Sequence, residues 1–271
     1  MIDRGPTSRI PNLLHFLFFL GLVVFAFLLS EAAILALTHN TQPTVALANQ
    51  KLQLLAELST YLIALSASFF IFPVFWQRPF LIGLQWNPAK ATARLAGLGL
   101  LVGFAAQALS VLIPHPKDLP IEDLLKNPRL IWFIAAFGIL LGPLFEEVLF
   151  RGFLLPAIAI AVDYLRIPRH PDPRVSLENL IAWRSSSTFS TLALTISSIV
   201  TSLLFAALHA PQLAFTWPAV ALLASVSLIL SVVRIRTASV AASTLVHSCY
   251  NLTIFISLFA ATNGFRHLDM V

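Results

Sequence analysis

The chain has 271 residues, of which 58% are hydrophobic and only 11% charged, with a formal net charge of +5. An ordinary soluble domain carries about 25% charged residues, so a water-soluble globule is excluded and most side chains must face hydrocarbon. The positive charge, with no basic cluster interleaved with exposed aromatics, indicates contact with anionic lipid and excludes nucleic acid as a partner.

About 20 apolar residues cross a bilayer core of about 30 Å, and residues 13–37, 52–76, 95–113, 130–162, 192–208, 213–233 and 238–261 qualify as spans. The expected fold class is all-α: a polytopic transmembrane helical bundle of seven to eight helices forming one integral membrane domain over residues 1–271. Its N-terminal helices occupy 1–125, polar motifs lie on the helices of 126–262, and a polar loop insertion covers 163–190.

The first run follows Arg4 and Arg9, and "ALA" at 46–48 imitates a cleavage site. The run exceeds the about 7–15 residues of a signal core, so a retained helix is expected. His15, Glu31 and Glu57 lie near span ends and read as structural groups that snorkel to the interface. The polar stretch 115–129 reads as a solvated loop. The fourth run is too long for one straight span and is expected to break at Gly142-Pro143, because proline removes a donor and clashes with the preceding turn. In the insertion, prolines and mixed charges predict an irregular loop with a short surface helix; His170 and Asp172 there read as solvated residues.

Trp76, Trp86, Trp132, Trp183 and Trp217 fall near span ends, as an interfacial aromatic belt requires. With seven crossings and the N-terminus inside, every Lys and Arg except Lys51, Lys117, Lys126, Arg129 and Arg266 falls on an inner segment, 12 of the 17. Cys249 is the single cysteine, which rules out an intrachain disulfide or a zinc-thiolate cluster. The "NLT" sequon at Asn251 lies inside a span and is rejected.

Ionisable side chains inside spans are costly and mark function by default. In "GPLFEEVLFRGF", Glu147 and Arg151 are four apart on one helix face with the acid N-terminal, the favourable order for mutual neutralisation. Glu146 points about 100° away and lacks that partner, which suits a general base. Phe205 and His209 are one turn apart, and Pro211 stops the helix just after the histidine. His247 and Asn251 are one turn apart and project together.

"EEVLFR" (Glu146 to Arg151), "FAALH" (Phe205 to His209) and "HSCYN" (His247 to Asn251), in this order on apolar segments, resemble the EExxxR, FxxxH and HxxxN motifs of the CPBP family. These are the CAAX prenyl protease and bacteriocin-processing membrane proteins, also called the Abi family. The "RTAS" at 236–239 is similar too. The resemblance covers the second half of the chain; the polar insertion lengthens the gap from Glu146 to His209.

What the resemblance implies is an intramembrane endopeptidase of the cell (plasma) membrane, acting on a membrane-anchored peptide or prenylated protein. Glu146 would activate a water with His209 assisting, and His247 and Asn251 would donate to the oxyanion. Glu147, Arg151 and Phe205 would support them. No cofactor is firmly expected. Glu146, His209 and His247 could ligate a divalent metal such as zinc with one open position, but HExxH is missing and the metal-free glutamate route is favoured.

The rival classes are a non-catalytic scaffold or bacteriocin self-immunity protein, and a proton-coupled transporter, which should show a repeat symmetry that this sequence lacks. With the N-terminus inside, the level of Glu146 and His209 favours the outer face, whereas prenyl-protein processing implies a cytoplasmic opening. An extra crossing within the fourth run would reverse this.

Overall fold

Hydropathy and helix length agree on seven crossings. A computed structural model describes residues 9–38, 49–113, 125–186 and 188–268, among which there is no strand. The "ALA" at 46–48, residues 115–124 of the polar loop, Arg4 and Lys117 lie outside the described residues. The spanning helices are α1 (Leu13–Thr38), α2 (Gln50–Trp76), α3 (Ala93–Ser110), α4 (Ile131–Leu165), and, after the polar helix α5 (Pro173–Ser185), α6 (Thr191–His209), α7 (Trp217–Thr237) and α8 (Val240–Ala261). Large apolar side chains such as Leu14, Phe70 and Val74 are exposed, as a lipid-facing surface requires.

Side-chain caps start several of these helices. Asn49 accepts from Lys51 N–H, Asp172 from Arg174 N–H with Pro173 in the first turn, Ser190 from Ala193 N–H and Ser239 from Ala242 N–H. Asn12 and His15 bond each other's backbone N–H at 3.2 and 3.1 Å, so His15 belongs to the cap of α1. The insertion carries the full helix α5 between its irregular ends.

Helix α4 is the axis, packed against α1, α6 and α8, while α1 pairs with α2, α3 with α8, and α6 with α7. The α3–α8 contact uses Gly99 and Gly103, four apart, where an added Cβ would collide with Val246 O and Thr253 Oγ1. Small residues at this spacing let membrane helices approach backbone to backbone.

The connections sort onto two faces. Arg9 bonds Asp163, Trp183 O and Thr188 O, and Asn87 pairs with Ser239, so the N-terminal segment, the α2–α3 connection, the α4–α6 insertion and the α7–α8 turn share one face. Asn127 bonds Gln50 on the opposite face. This alternation is what seven crossings with single passage of each helix produce. By the positive-inside rule the arginine-rich first face is expected on the cytoplasmic side. Arg151, counted with the inner segments, is instead buried at 0% exposure.

The expected break at Gly142-Pro143 does not occur. Helix α4 runs unbroken from Ile131 to Leu165, which also removes the extra crossing that would have inverted the orientation. It stays continuous by widening to π winding at Phe137–Leu141 and Val148–Leu154, each stretch ending just before or close to a proline. Gly142 N–H reaches back five residues to Phe137 O, and Leu155 N–H likewise to Phe150 O. In that register the next donors would serve Gly138 O and Arg151 O. Those positions are Pro143 and Pro156, which have no N–H to give.

Each orphaned carbonyl is filled from another helix. Asn251 Nδ2 donates to Gly138 O at 2.7 Å, and Arg234 Nε donates to Arg151 O at 3.3 Å. A buried acceptor left unpaired costs about 1–3 kcal/mol. Asn251→Leu is therefore expected to destabilise the protein by about that much, and Pro143→Ala, which restores a backbone donor for Gly138, should rescue it. Thermal unfolding of the two single variants and the double variant in detergent checks this; additive losses would exclude the orphan-carbonyl account.

The aromatic belt holds in part. Trp132 and Trp217 are exposed at 64% and 67%, but Trp76 is 3% exposed. The Trp76 ring packs against Phe72, Phe80 and Phe153, because the turn after α2 folds Phe80 back over it. Trp76 is thus a core residue rather than an interfacial anchor.

Candidate active site

Three helices deliver the polar groups to one place. Antiparallel packing of α4 on α6 sets Asp163 beside Ser190 at one end and Glu146 beside His209 at the other. His209 Nε2 lies 3.9 Å from Glu146 Oε1, and His247 Nε2 lies 3.7 Å from Glu146 Oε2. The Glu146 and His209 side chains are about a quarter exposed, at 24% and 23%, whereas His247 is at 5%.

Glu147 and Arg151 are both fully buried and pair at 2.8 Å. Glu147 Oε1 also receives His247 Nδ1 at 3.1 Å. Arg151 Nη2 donates to Ser227 O and Ser227 Oγ at 2.7 and 2.6 Å. Ser227 sits at the middle of α7, so the ion pair lies about 15 Å from either end of that helix at about 1.5 Å rise per residue. A charge at this depth requires a hydrogen-bonded partner.

Acceptor chemistry fixes both imidazoles. His209 Nδ1 lies 2.8 Å from Phe205 O, and a carbonyl only accepts, so Nδ1 carries hydrogen and Nε2 faces Glu146. His247 Nδ1 likewise meets the carboxylate that Arg151 holds, leaving Nε2 toward Glu146. Phe205 packs both rings: it stacks on His209 at 4.5 Å, meets His247 edge-on at 5.7 Å, and lies 5.1 Å from the Arg151 guanidinium. Phe205→Leu is expected to lower turnover roughly 10- to 100-fold by misplacing both imidazoles with KM little changed. A steady-state kcat and KM comparison checks it.

Asn251 is brought to α4 as well, but to Gly138 O rather than to Glu146. One of its amide hydrogens is committed there and one remains. Glu57 is not a snorkelling interfacial group. It is half-buried and accepts from Tyr61 at 2.9 Å, Tyr61 stacks on Phe145 at 3.9 Å, and the Glu57 and Glu146 charges are close enough to interact. The Glu57–Tyr61 spacing of four was the signal in the sequence. Ser227, through its backbone carbonyl, gave none.

Two features suit a metal: each imidazole has its Nδ1 hydrogen held by an oxygen and its Nε2 directed at the same carboxylate. The separations of 3.7 and 3.9 Å exceed the roughly 3.3 Å ligand–ligand edge that zinc bonds of about 2.0 Å impose. Among the described residues no group of three His, Cys, Asp or Glu is placed to hold a metal ion. The residues as they stand do not fit a resident zinc.

Fold and site together define a seven-span integral membrane protein with a polar cluster buried in its second half. Residues 128–253 match the family model described as Type II CAAX prenyl endopeptidase Rce1-like, a match consistent with the CAAX-protease (CPBP) family. That family is one of membrane proteases, and the match spans all three motifs. No curated protein and no solved structure matches the chain.

Proposed function

We propose that the protein hydrolyses a peptide bond of a membrane-anchored peptide, in the cell membrane and toward the face opposite the arginine-rich one, with Glu146 as general base. The observation that carries this is the convergence of the Glu146 carboxylate with Nε2 of both His209 and His247 beside a fully buried ion pair. The family match supports the same reaction class.

In this mechanism a water donates one hydrogen to Glu146 and the other to the lone pair of His209 Nε2. Its oxygen attacks the scissile carbonyl carbon as the first proton passes to Glu146. His247, with both ring nitrogens protonated, holds Glu147 through Nδ1 and donates from Nε2 to the oxyanion, joined by the second amide hydrogen of Asn251. Collapse of the tetrahedral species breaks the C–N bond, and Glu146 returns its proton to the leaving amine. Glu147, Arg151 and Phe205 fix the positions of the groups that react.

A non-catalytic scaffold is the second reading, favoured by the same interhelical bonds from Arg151, His247 and Asn251. Purified protein in liposomes, given membrane-anchored candidate peptides, separates the two. Cleavage by the wild type and none by His209→Ala is expected; no cleavage of any peptide by a folded wild type would favour the scaffold. Chelation with verified metal removal is expected to leave cleavage undiminished, and loss restored by added zinc would overturn the metal-free route.

A further inference from the structure

Beyond the candidate active site, the arginine-rich face holds a cavity of about 330 Å3 whose lining includes Arg9, Arg78 and Arg234 and, among the described residues, no Asp or Glu. It shares no lining residue with the cluster around Glu146. The Arg9 charge is answered by Asp163 at 3.1 Å. Arg78 and Arg234 make no such ion pair: among the described residues no carboxylate lies within 4.0 Å of either.

Arg234 is 6% exposed and bonds only neutral acceptors, Arg151 O and Gln85 Oε1, the latter at 2.7 Å. Filling an orphaned carbonyl does not require a charge, since the amide of Asn251 does the same at Gly138. The carboxylate whose charge reaches Arg234 is that of Glu147, already paired with Arg151; a buried guanidinium with no carboxylate in contact is expensive, and Arg234 lines the cavity. The backbone is also held in an unusual state there: Gln85 and Ala238, both in the lining, have φ of 58° and 49°. Non-glycine residues in this region cost of order 1–3 kcal/mol and cluster at ligand sites.

The position narrows the ligand. Arg78 follows the end of α2 by two residues and Arg234 precedes the end of α7 by three, so the guanidiniums stand at headgroup depth. Ile82, Leu155 and Leu194 supply an apolar wall beside them. We propose that this cavity binds a phosphate group, presented by an anionic phospholipid of the inner leaflet or as the free ion. Planar guanidiniums match phosphate oxygens in pairs, and the apolar wall fits the start of an acyl chain.

Full-length protein in detergent, titrated with short-chain phosphatidylglycerol, phosphatidylcholine and inorganic phosphate, tests this by native mass spectrometry. One phosphatidylglycerol should bind per chain, at least roughly tenfold tighter than phosphatidylcholine, as one lost charge-assisted contact predicts. Arg78→Gln should weaken it several-fold without changing the melting temperature, because Arg78 makes no bond within the described structure; Arg234→Gln should weaken it too.

Competition by inorganic phosphate would support the site with the free ion as sufficient ligand. No competition would support it with the lipid as ligand. Equal binding of the two lipids, or binding unchanged by Arg78→Gln, would overturn the proposal.

Discussion

Glu146→Gln is expected to reduce peptide cleavage by about 10²–10⁴-fold, the usual contribution of a positioned general base, while leaving the protein folded. The substitution keeps shape and polarity and removes only the capacity to take a proton. Glu146 is about a quarter exposed, and its contacts to His209 and His247 are no shorter than 3.7 Å, so stability should move by no more than about 0.5 kcal/mol. Glu146→Asp, which withdraws the carboxylate by one methylene, should fall between wild type and the glutamine variant. Cleavage of a membrane-anchored fluorogenic peptide in liposomes, run beside thermal unfolding, reads both quantities. A glutamine variant as active as the wild type would remove Glu146 from the chemistry.

The second large effect concerns the pair behind it. Arg151→Met strands the Glu147 carboxylate at zero exposure, and an uncompensated buried charge of this kind costs about 3–5 kcal/mol. Glu147→Gln strands Arg151, although Ser227 still accepts from it through two oxygens, so its loss should be smaller. The double variant Glu147→Gln/Arg151→Met is expected to recover much of the stability, because neither charge remains.

Cleavage should not recover with it. Glu147 Oε1 is also the acceptor that fixes His247 Nδ1, and a glutamine in its place no longer holds the imidazole through a charge-assisted bond. Unfolding midpoints and cleavage rates across the four proteins test this. Restoration of both together would mean that the pair serves the fold alone.

Much of the site was legible in the sequence because its rules are local. The four-residue spacing of Glu147 and Arg151 predicted a pair that forms at 2.8 Å, and the stop imposed by Pro211 put His209 at a helix end, where the structure has it. The common level of Glu146 and His209 was expected from a break at Gly142-Pro143, whereas the unbroken α4 reaches it by antiparallel packing on α6. Glu57 was misread because its distance from the span end said nothing about its facing Tyr61 and Glu146.

Asn251 shows the limit of spacing arguments: one turn from His247, it reaches the same helix at Gly138 rather than at the glutamates. Trp76, at a span end by sequence, is enclosed by aromatic rings that arrive from α4 and from the turn after α2.

By itself the sequence determined the medium, the seven apolar runs and the residues able to do chemistry, since apolar run length and helical spacing are properties of neighbouring positions. Only the tertiary structure decided that α4 would pass through two prolines without breaking. The reason is physical: a proline creates its vacancy locally, but the donor that fills it comes from Asn251 or Arg234, 113 and 83 residues further along the chain than the carbonyls they serve. The same long-range packing leaves Arg234 charged, buried and facing an open cavity.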